Sequence, residues 1–277
     1  MSILKYTVLP LKQRALEPFV KRISYIENET VEPQFHSIPP IGANGLSFYF
    51  GAPMRHIINH ETIPLLKGAS VLGTITEDGI TVIHQGCVKQ IYIEFTPTGF
   101  YRLFHKHGSK FTNSPPADFS TIDAQMLENE LENCSKDVKS IQDVFENYLL
   151  RIMPNALPEI PLINNVVSLM QADVADKNRV EDICKKVGVN QRYLSRLFKK
   201  VIGMSPKKYY RTQQWNTIMS IINQNKEETL TKWALECGFY DHPSFTKEFK
   251  KFMQIPPSEF INGDVSLVQM VLRQNRQ

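Results

Sequence analysis

The spacing of apolar positions changes along the chain, and the change marks its organisation. From Gly45 onward the period is two. Leu46-Ser47-Phe48-Tyr49-Phe50, Ser70 to Ile75, Thr81-Val82-Ile83 and Gln90-Ile91-Tyr92-Ile93-Glu94-Phe95 read as strands. Glu77-Asp78-Gly79 supplies a hairpin turn between two of them. Short strands at these intervals predict an antiparallel sheet curled into a small barrel or sandwich. Ahead of them, Leu16, Phe19, Val20 and Ile23 within Pro10 to Ile26 predict a short helix or an extended packing segment. After Phe95 helices take over. Ser120 with Asp123, and Ser140 with Asp143, read as capping-box starts. The second precedes Ile141, Val144, Phe145, Tyr148, Leu149 and Ile152, a stripe expected to pack on the chain's own sheet rather than on a second subunit.

In the last third the period becomes three and four. Asn178 with Glu181 opens a helix whose buried stripe is Val180, Ile183, Cys184 and Val187, and Gly188 stops it. Asn190 caps the next helix, with Leu194, Leu197, Phe198 and Val201 inward. Gln191, Arg192, Ser195, Arg196, Lys199 and Lys200 are left outward. Ser205 and Pro206 then start a helix running to about Asn223, a rod of roughly 27 Å. About fifty residues on, the plan recurs. Gly188 falls on Gly238, Leu194 on Phe245, Phe198 on Phe249, Lys199-Lys200 on Lys250-Lys251, Pro206 on Pro257 and Tyr209 on Phe260. A short helix bracing a second, basic helix is the geometry that presents side chains to the DNA major groove.

Charge sharpens this. The net charge of +4 conceals an asymmetry: residues 1–160 carry 14 Lys or Arg against 17 Asp or Glu, and residues 161–277 carry 18 against 11. From Lys185 to Arg211 there are nine Lys or Arg and no acid, an uncompensated field that draws phosphates. Lys199, Lys200, Lys207, Lys208, Lys250 and Lys251 are the candidate phosphate contacts. With 277 residues and 42% hydrophobic content the chain can bury two cores. No apolar run reaches membrane-spanning length and Met1 to Lys5 is no secretory leader, so a cytoplasmic location without membrane contact is expected. Cys87, Cys134, Cys184 and Cys237 have no paired spacing, and His105-Lys106-His107 lacks a carboxylate at liganding distance, so neither a metal nor a cofactor is expected. Pro154, Pro158 and Pro161 mark a boundary. The predicted organisation is a regulatory domain over 1–155, a linker over 156–161, a DNA-binding domain over 162–262 and a tail over 263–277.

Residues 162–262 resemble the DNA-binding domain of bacterial AraC/XylS-type transcription regulators. The resemblance rests on Tyr193 to Lys200, Gly203-Met204-Ser205-Pro206, Cys237-Gly238-Phe239-Tyr240-Asp241, Phe245, Phe249-Lys250-Lys251 and Pro257-Ser258-Glu259-Phe260. It implies an all-α domain of two helix-turn-helix units joined by a linker helix. The groove-facing positions would be Arg192, Ser195 and Arg196 in the first unit, and His242, Thr246 and Lys247 in the second. Trp233, Gln214-Trp215 and Pro243 depart from the family's usual residues. The strand-then-helix order with Phe95-Thr96-Pro97-Thr98-Gly99 resembles the sensor domains found ahead of such modules.

The whole is expected to be α+β, a small antiparallel barrel or sandwich with helices followed by the all-α domain. The partners implied are promoter DNA and RNA polymerase, with control by a small-molecule effector or by self-association as a homodimer. Phe48, Phe50, Tyr92 and Phe95 are candidate pocket residues. The competing reading is an alkyl-transfer repair enzyme using the same DNA-binding module, which would need an activated thiolate.

Overall fold

The computed structural model describes residues 3–58, 61–65, 68–76, 79–154, 160–172, 180–224, 229–236, 239–253 and 255–262. Its N-terminal part is one antiparallel sheet of β1 (Ile3–Leu9), β2 (Val20–Ile38), β3 (Gly45–Tyr49), β4 (Met54–Ile58), β5 (Glu61–Leu65), β6 (Gly68–Leu72) and β7 (Ile80–Phe95). The strand order is β1-β2-β7-β3-β6, with β4 paired to β5 and to the start of β7. Because β7 pairs along its length with β2, β3 and β4, it is the axis on which the sheet curls.

Both faces of this sheet are buried, and they differ in chemistry. Ile23, Leu46, Phe48, Val71, Ile91, Ile93 and Phe95 pack with α1 (Gly99–Phe104), α2 (Gln125–Asn133) and α3 (Val138–Arg151) into one core. The alternate positions of the same strands, among them Arg22, Gln90 and Tyr92, point into the curl and line a cavity. On α3, Ile141, Phe145, Tyr148 and Leu149 are buried in the shared core, so the apolar stripe faces its own sheet. Buried Glu146 on the same helix accepts the backbone N–H groups of Lys12 (3.0 Å) and Gln13 (2.9 Å), pinning the β1–β2 connection.

Of the two readings of Pro10 to Ile26, the extended packing segment is the one found: a single 3-10 turn, Arg14–Leu16, leads into β2, with Leu16, Phe19, Val20 and Ile23 in the core. Two other local expectations are corrected. The Glu77-Asp78-Gly79 turn lies largely outside the described residues, and its flanking strands are not partners: β6 pairs with β3, while β7 begins against β2 and β4. Neither serine is a cap. Ser120 sits in a 3-10 turn ended by left-handed Asp123 (φ 58°), and α3 is capped by Asp137, whose carboxylate accepts the N–H (2.9 Å) and hydroxyl (2.7 Å) of Ser140.

The C-terminal part comprises α4 (Ile160–Ala172), α5 (Val180–Val187), α6 (Gln191–Val201), α7 (Pro206–Gln224), α8 (Leu230–Glu236), α9 (His242–Met253) and α10 (Pro257–Asn262). Pro161 lies inside the first turn of α4, where a missing N–H costs no hydrogen bond. Most of the predicted linker, Asn178, Cys237, Gly238 and the tail lie outside the described residues. Two cores form. Residues of α4, α5 and α6 gather around Phe198, and residues of α8, α9 and α10 around Trp215 and Phe249. Helix α7 serves both, giving Tyr209 and Tyr210 to the first core and Trp215, Ile218, Met219 and Ile222 to the second. Apolar residues therefore fall all round it. The helix is thus held by one core toward each end, and its 19 residues span about 28 Å.

The two parts meet along a polar seam. Asn44 Nδ2 donates to the carbonyl of Ile202 at the end of α6 (3.2 Å), while its Oδ1 accepts the N–H of Thr74 (3.2 Å). The Thr112 hydroxyl donates to the Gly203 carbonyl (2.7 Å). Gly108 lies so close that a Cβ there would stand 2.7 Å from the Gly203 nitrogen, and Gly203 has φ +103°. Side chains at either position would force the seam apart.

Candidate nucleic-acid interface

Helix α6 is built by local signals. Gly188 adopts φ +69° with open space around it, so the turn uses its freedom of backbone and not its size. Asn190 Oδ1 accepts the Tyr193 N–H (2.8 Å) and caps the helix. Leu194, Leu197, Phe198 and Val201 are buried, which turns Gln191, Arg192, Arg196 and Lys199 to solvent and leaves Ser195 half-buried. The Arg196 guanidinium lies 5.6 Å from the Tyr193 ring centroid, one helical turn back. Stacking on a neighbouring ring restrains the long side chain before any partner arrives.

Lys200 is placed differently from Lys199. Its ammonium lies 5.1 Å from the ring centroid of Tyr101 in the N-terminal part, so it also faces the seam. Lys207 and Lys208 are exposed on the first turn of α7, whose start is capped by Ser205 Oγ accepting the Lys208 N–H (3.3 Å).

In the second unit Asp241 caps α9, its Oδ1 accepting the Ser244 N–H at 2.8 Å. Pro243 then occupies the first turn, where helix amides have no internal acceptor. His242, Lys247, Lys250 and Lys251 are exposed. Thr246 departs from the groove-facing expectation, because its hydroxyl is sealed from solvent and has no hydrogen-bond partner among the described residues. Trp215, 2% exposed, contacts the rings of Phe239, Phe245, Phe249 and Phe252 at centroid distances of 5.2–6.3 Å. The departure Gln214-Trp215 thus supplies the hub of the second core. Trp233 is accommodated beside Ala234, both fully buried. An ion pair of Arg211 with Glu248 (3.1 Å) ties α7 to α9.

The N-terminal cavity is not where the aromatic strand residues pointed. Phe48 and Phe95 fill the core beneath the helices, and Phe50 stacks near Tyr25 and Phe48. Of the four candidates Tyr92 lines the cavity, a space of about 140 Å³ inside the curl bounded by Tyr6, Ile38, Ile41, His56, Val82 and His84 among others. Arg22, which lines it, and Lys21 (2.7 Å), which does not, both pair with buried Glu94. Burial alone would raise the Glu94 carboxyl, but those two cations outweigh it and hold it below its ordinary range.

Three histidines that sequence reasoning left apart also converge inside the curl. His36 and His56 both lie opposite Val82, and His84 follows two residues on, so one parity brings them to the same face. The rings of His36 and His84 are 4.7 Å apart. Burial pushes the pKa of His36 and of His56 down to about 4; His84 falls to about 3 through burial and the neighbouring imidazoles. The signal was the even spacing of His36, His56 and His84 on strands, legible only once their pairing was known. Among the described residues no group of three His, Cys, Asp or Glu is arranged to hold a metal ion. The Cys134 thiol donates to the Leu131 carbonyl (3.3 Å) and is pushed up by burial, as is Cys184 in the first helical core. Burial of this kind disfavours the thiolate that alkyl transfer needs. Among the described residues no helix is long and apolar enough to cross a membrane.

A β-rich domain followed by two helix-turn-helix units on one connecting helix is the architecture of a DNA-binding protein with an appended second domain. Residues 183–263 match a family described as helix-turn-helix domain. The HTH-type transcriptional regulator GbdR of Pseudomonas aeruginosa (strain UCBPP-PA14) is 28% identical over 103 residues, 37% of this chain and 28% of GbdR. The HTH-type transcriptional regulator ArgR of Pseudomonas aeruginosa is 27% identical over 99 residues, 36% of this chain and 30% of ArgR. The C-terminal region of this chain carries an AraC-type helix-turn-helix domain. The match spans less than a third of the length of either relative. A single-residue variant of apo ToxT from Vibrio cholerae strain SCE256 aligns with 88% of this chain and 97% of its own length, at 10% identity and a TM-score of 0.50, a likeness of fold.

Proposed function

We propose that this protein is a sequence-specific DNA-binding regulator of transcription, acting in the cytoplasm on promoter DNA and through it on RNA polymerase. The observation that carries the reading is α6. Its apolar face is locked into a core, its outward face is basic, and it stands in a helix-turn-helix unit of a family whose matched relatives are named transcriptional regulators. Arg192, Ser195 and Arg196 read base edges from α6, with His242 and Lys247 in the same role on α9. Lys199, Lys207, Lys208, Lys250 and Lys251 neutralise phosphates, and Lys200 divides its charge between DNA and the seam. Because α7 is packed into both cores, it fixes the separation of the two reading helices, so the site should comprise two half-sites about 10 base pairs apart. Selection of bound duplexes from random sequence tests this. Recovery of no enriched sequence would refute it, and a single enriched half-site would refute the role of α9.

Control by an effector has its own support in the cavity. Tyr92, His56 and His84 line it, and His56 Nδ1 and His84 Nε2 are buried without a hydrogen-bond partner among the described residues. Such a space suits a small, mainly apolar ligand with one or two polar atoms. The segment Pro39–Asn44 joins the cavity to the helical part, with Pro39, Ile41 and Ala43 on the cavity side and Asn44 bonded to Ile202. A screen of small molecules by thermal shift tests it. Hits whose effect persists when the cavity is filled by Ala43→Phe would exclude the site.

A further inference from the structure

We infer that the N-terminal domain itself contributes to the DNA footprint, through the segment His105 to Lys110, which extends the phosphate-binding surface of α6. The inference rests on the DNA-binding reading of α6 and goes beyond it by assigning contacts to the other domain.

The geometry begins with Gly108. Its close approach to Gly203 and Ile202 fixes the short 3-10 turn Gly108–Lys110 against the end of α6, and the bond from Thr112 to the Gly203 carbonyl holds it there. Placed so, His107 and Ser109 form one wall of an open cleft whose other wall is Tyr193, Arg196, Lys199 and Lys200. The cleft has a volume of about 650 Å³. Arg196 and Lys199 are the side chains that DNA must meet if α6 enters the groove, so a phosphate backbone passing over them runs beside His107 and Ser109.

Charge favours the same occupant. His105, His107, Ser109 and Lys110 are exposed, and the acid paired in this segment is Asp123, which holds Lys106 at 2.7 Å. The sheet domain as a whole is acidic, with 17 Asp or Glu against 14 Lys or Arg over residues 1–160. A segment whose His107 and Ser109 line the cleft, with Lys110 exposed beside them, is therefore a local exception to its own domain. Cations and hydroxyl groups on a fixed turn are the usual partners of phosphate oxygens, and they add affinity without adding sequence preference.

The test uses the full chain and a fluorescein-labelled random-sequence duplex of about 30 base pairs, titrated by anisotropy from about 50 to 200 mM salt. Lys110→Gln should reduce the salt slope by about 0.9 and weaken binding several-fold. Ser109→Glu should weaken it roughly tenfold at the lowest salt, because it sets a carboxylate against the backbone. Lys199→Gln serves as the positive control on α6, and Lys139→Gln, on α3 away from the cleft, should change nothing. Wild-type slopes and affinities in both Lys110→Gln and Ser109→Glu, with Lys199→Gln weakened, would overturn the inference while leaving the regulator reading intact. Failure of the wild-type chain to bind any duplex would instead defeat the regulator reading, and this extension with it.

Discussion

Replacing Asn44 by Asp isolates the seam between the two domains. Asn44 is 3% exposed and uses both ends of its amide, donating to the Ile202 carbonyl and accepting from the Thr74 N–H. Aspartate keeps the acceptor for Thr74 and loses the donor, turning an oxygen toward the carbonyl that closes α6. A buried acceptor left unsatisfied costs about 1–3 kcal/mol. Opening of the seam should therefore become easier by about 2 kcal/mol, or about thirtyfold. A protonated carboxyl would restore the donor, and protonation costs about 1.4 kcal/mol per pH unit above the ordinary aspartate value of about 3.9, so the effect should grow from about pH 4 and be complete by about pH 5.5. Hydrogen exchange read by mass spectrometry is the assay, with peptides over 198–206 reporting the seam and 90–95 reporting the sheet. Asn44→Ala, which also strands the Thr74 N–H, should accelerate both. Wild-type exchange over 198–206 in a folded Asn44→Asp chain would refute the reasoning, as would equal acceleration of the sheet peptide.

Other expectations are independent of the seam. His36, His56 and His84 have folded pKa values of about 4, about 4 and about 3, below the unfolded value of about 6.5, so the unfolded chain binds protons first. Stability is then complete above about pH 6.5 and is lost progressively as pH falls through about 4, by up to about 2 kcal/mol per histidine at pH 5. A urea midpoint that is flat from pH 7 to 5 would contradict this, and His56→Gln should lessen the slope. Trp215→Ala removes the hub of the second helical core and should cost about 3–5 kcal/mol, melting α8 to α10 before the first unit; a single unchanged transition by circular dichroism would show the hub to be dispensable. Arg196→Ala should cost roughly 1–3 kcal/mol on a selected site and relax one base pair, whereas Lys199→Ala should weaken all sequences alike, and identical behaviour of the two in salt titrations would void the division of roles.

The first helix-turn-helix unit was legible because its signals are local. Gly188, Asn190 and the stripe from Leu194 to Val201 act within a few residues of one another, and each appears in the structure where its chemistry requires. The sheet was only half legible, and burial explains why. Sequence alternation locates a strand when one face is apolar and the other wet. Here the second face is also buried and carries Ser24, Asn28, His36, Ser47, His84, Gln90 and Glu94. Those positions read as solvent-facing or as interruptions, which hid β2 and divided β7 in two. Caps failed for a related reason: Asp137 and Ser140 are both good capping residues three apart, and only the tertiary start of α3 selects between them. The pocket failed because aromatic side chains on a two-sided sheet can fill either face, and Phe48 and Phe95 fill the apolar one.

That second, polar face also carries the route we propose for one domain to influence the other. A sheet with a solid, close-packed interior has no room to admit a ligand. This one keeps a cavity whose rim residues Ile41 and Ala43 alternate with Gly42 and Asn44, and the latter pair meets α7 and the end of α6. A Cβ on Gly42 would stand 3.3 Å from Gln213 Nε2 and 3.4 Å from Thr212 Cγ2. A ligand that displaced Ile41 or Ala43 would move Asn44 against Ile202, at the helix that carries Arg196. Such a ligand shifts the balance of states only by the difference in its affinity for them. Its signature is therefore altered hydrogen exchange over 198–206 on binding, and that response should vanish in Asn44→Asp, where the cavity is unchanged and the link to α6 is cut.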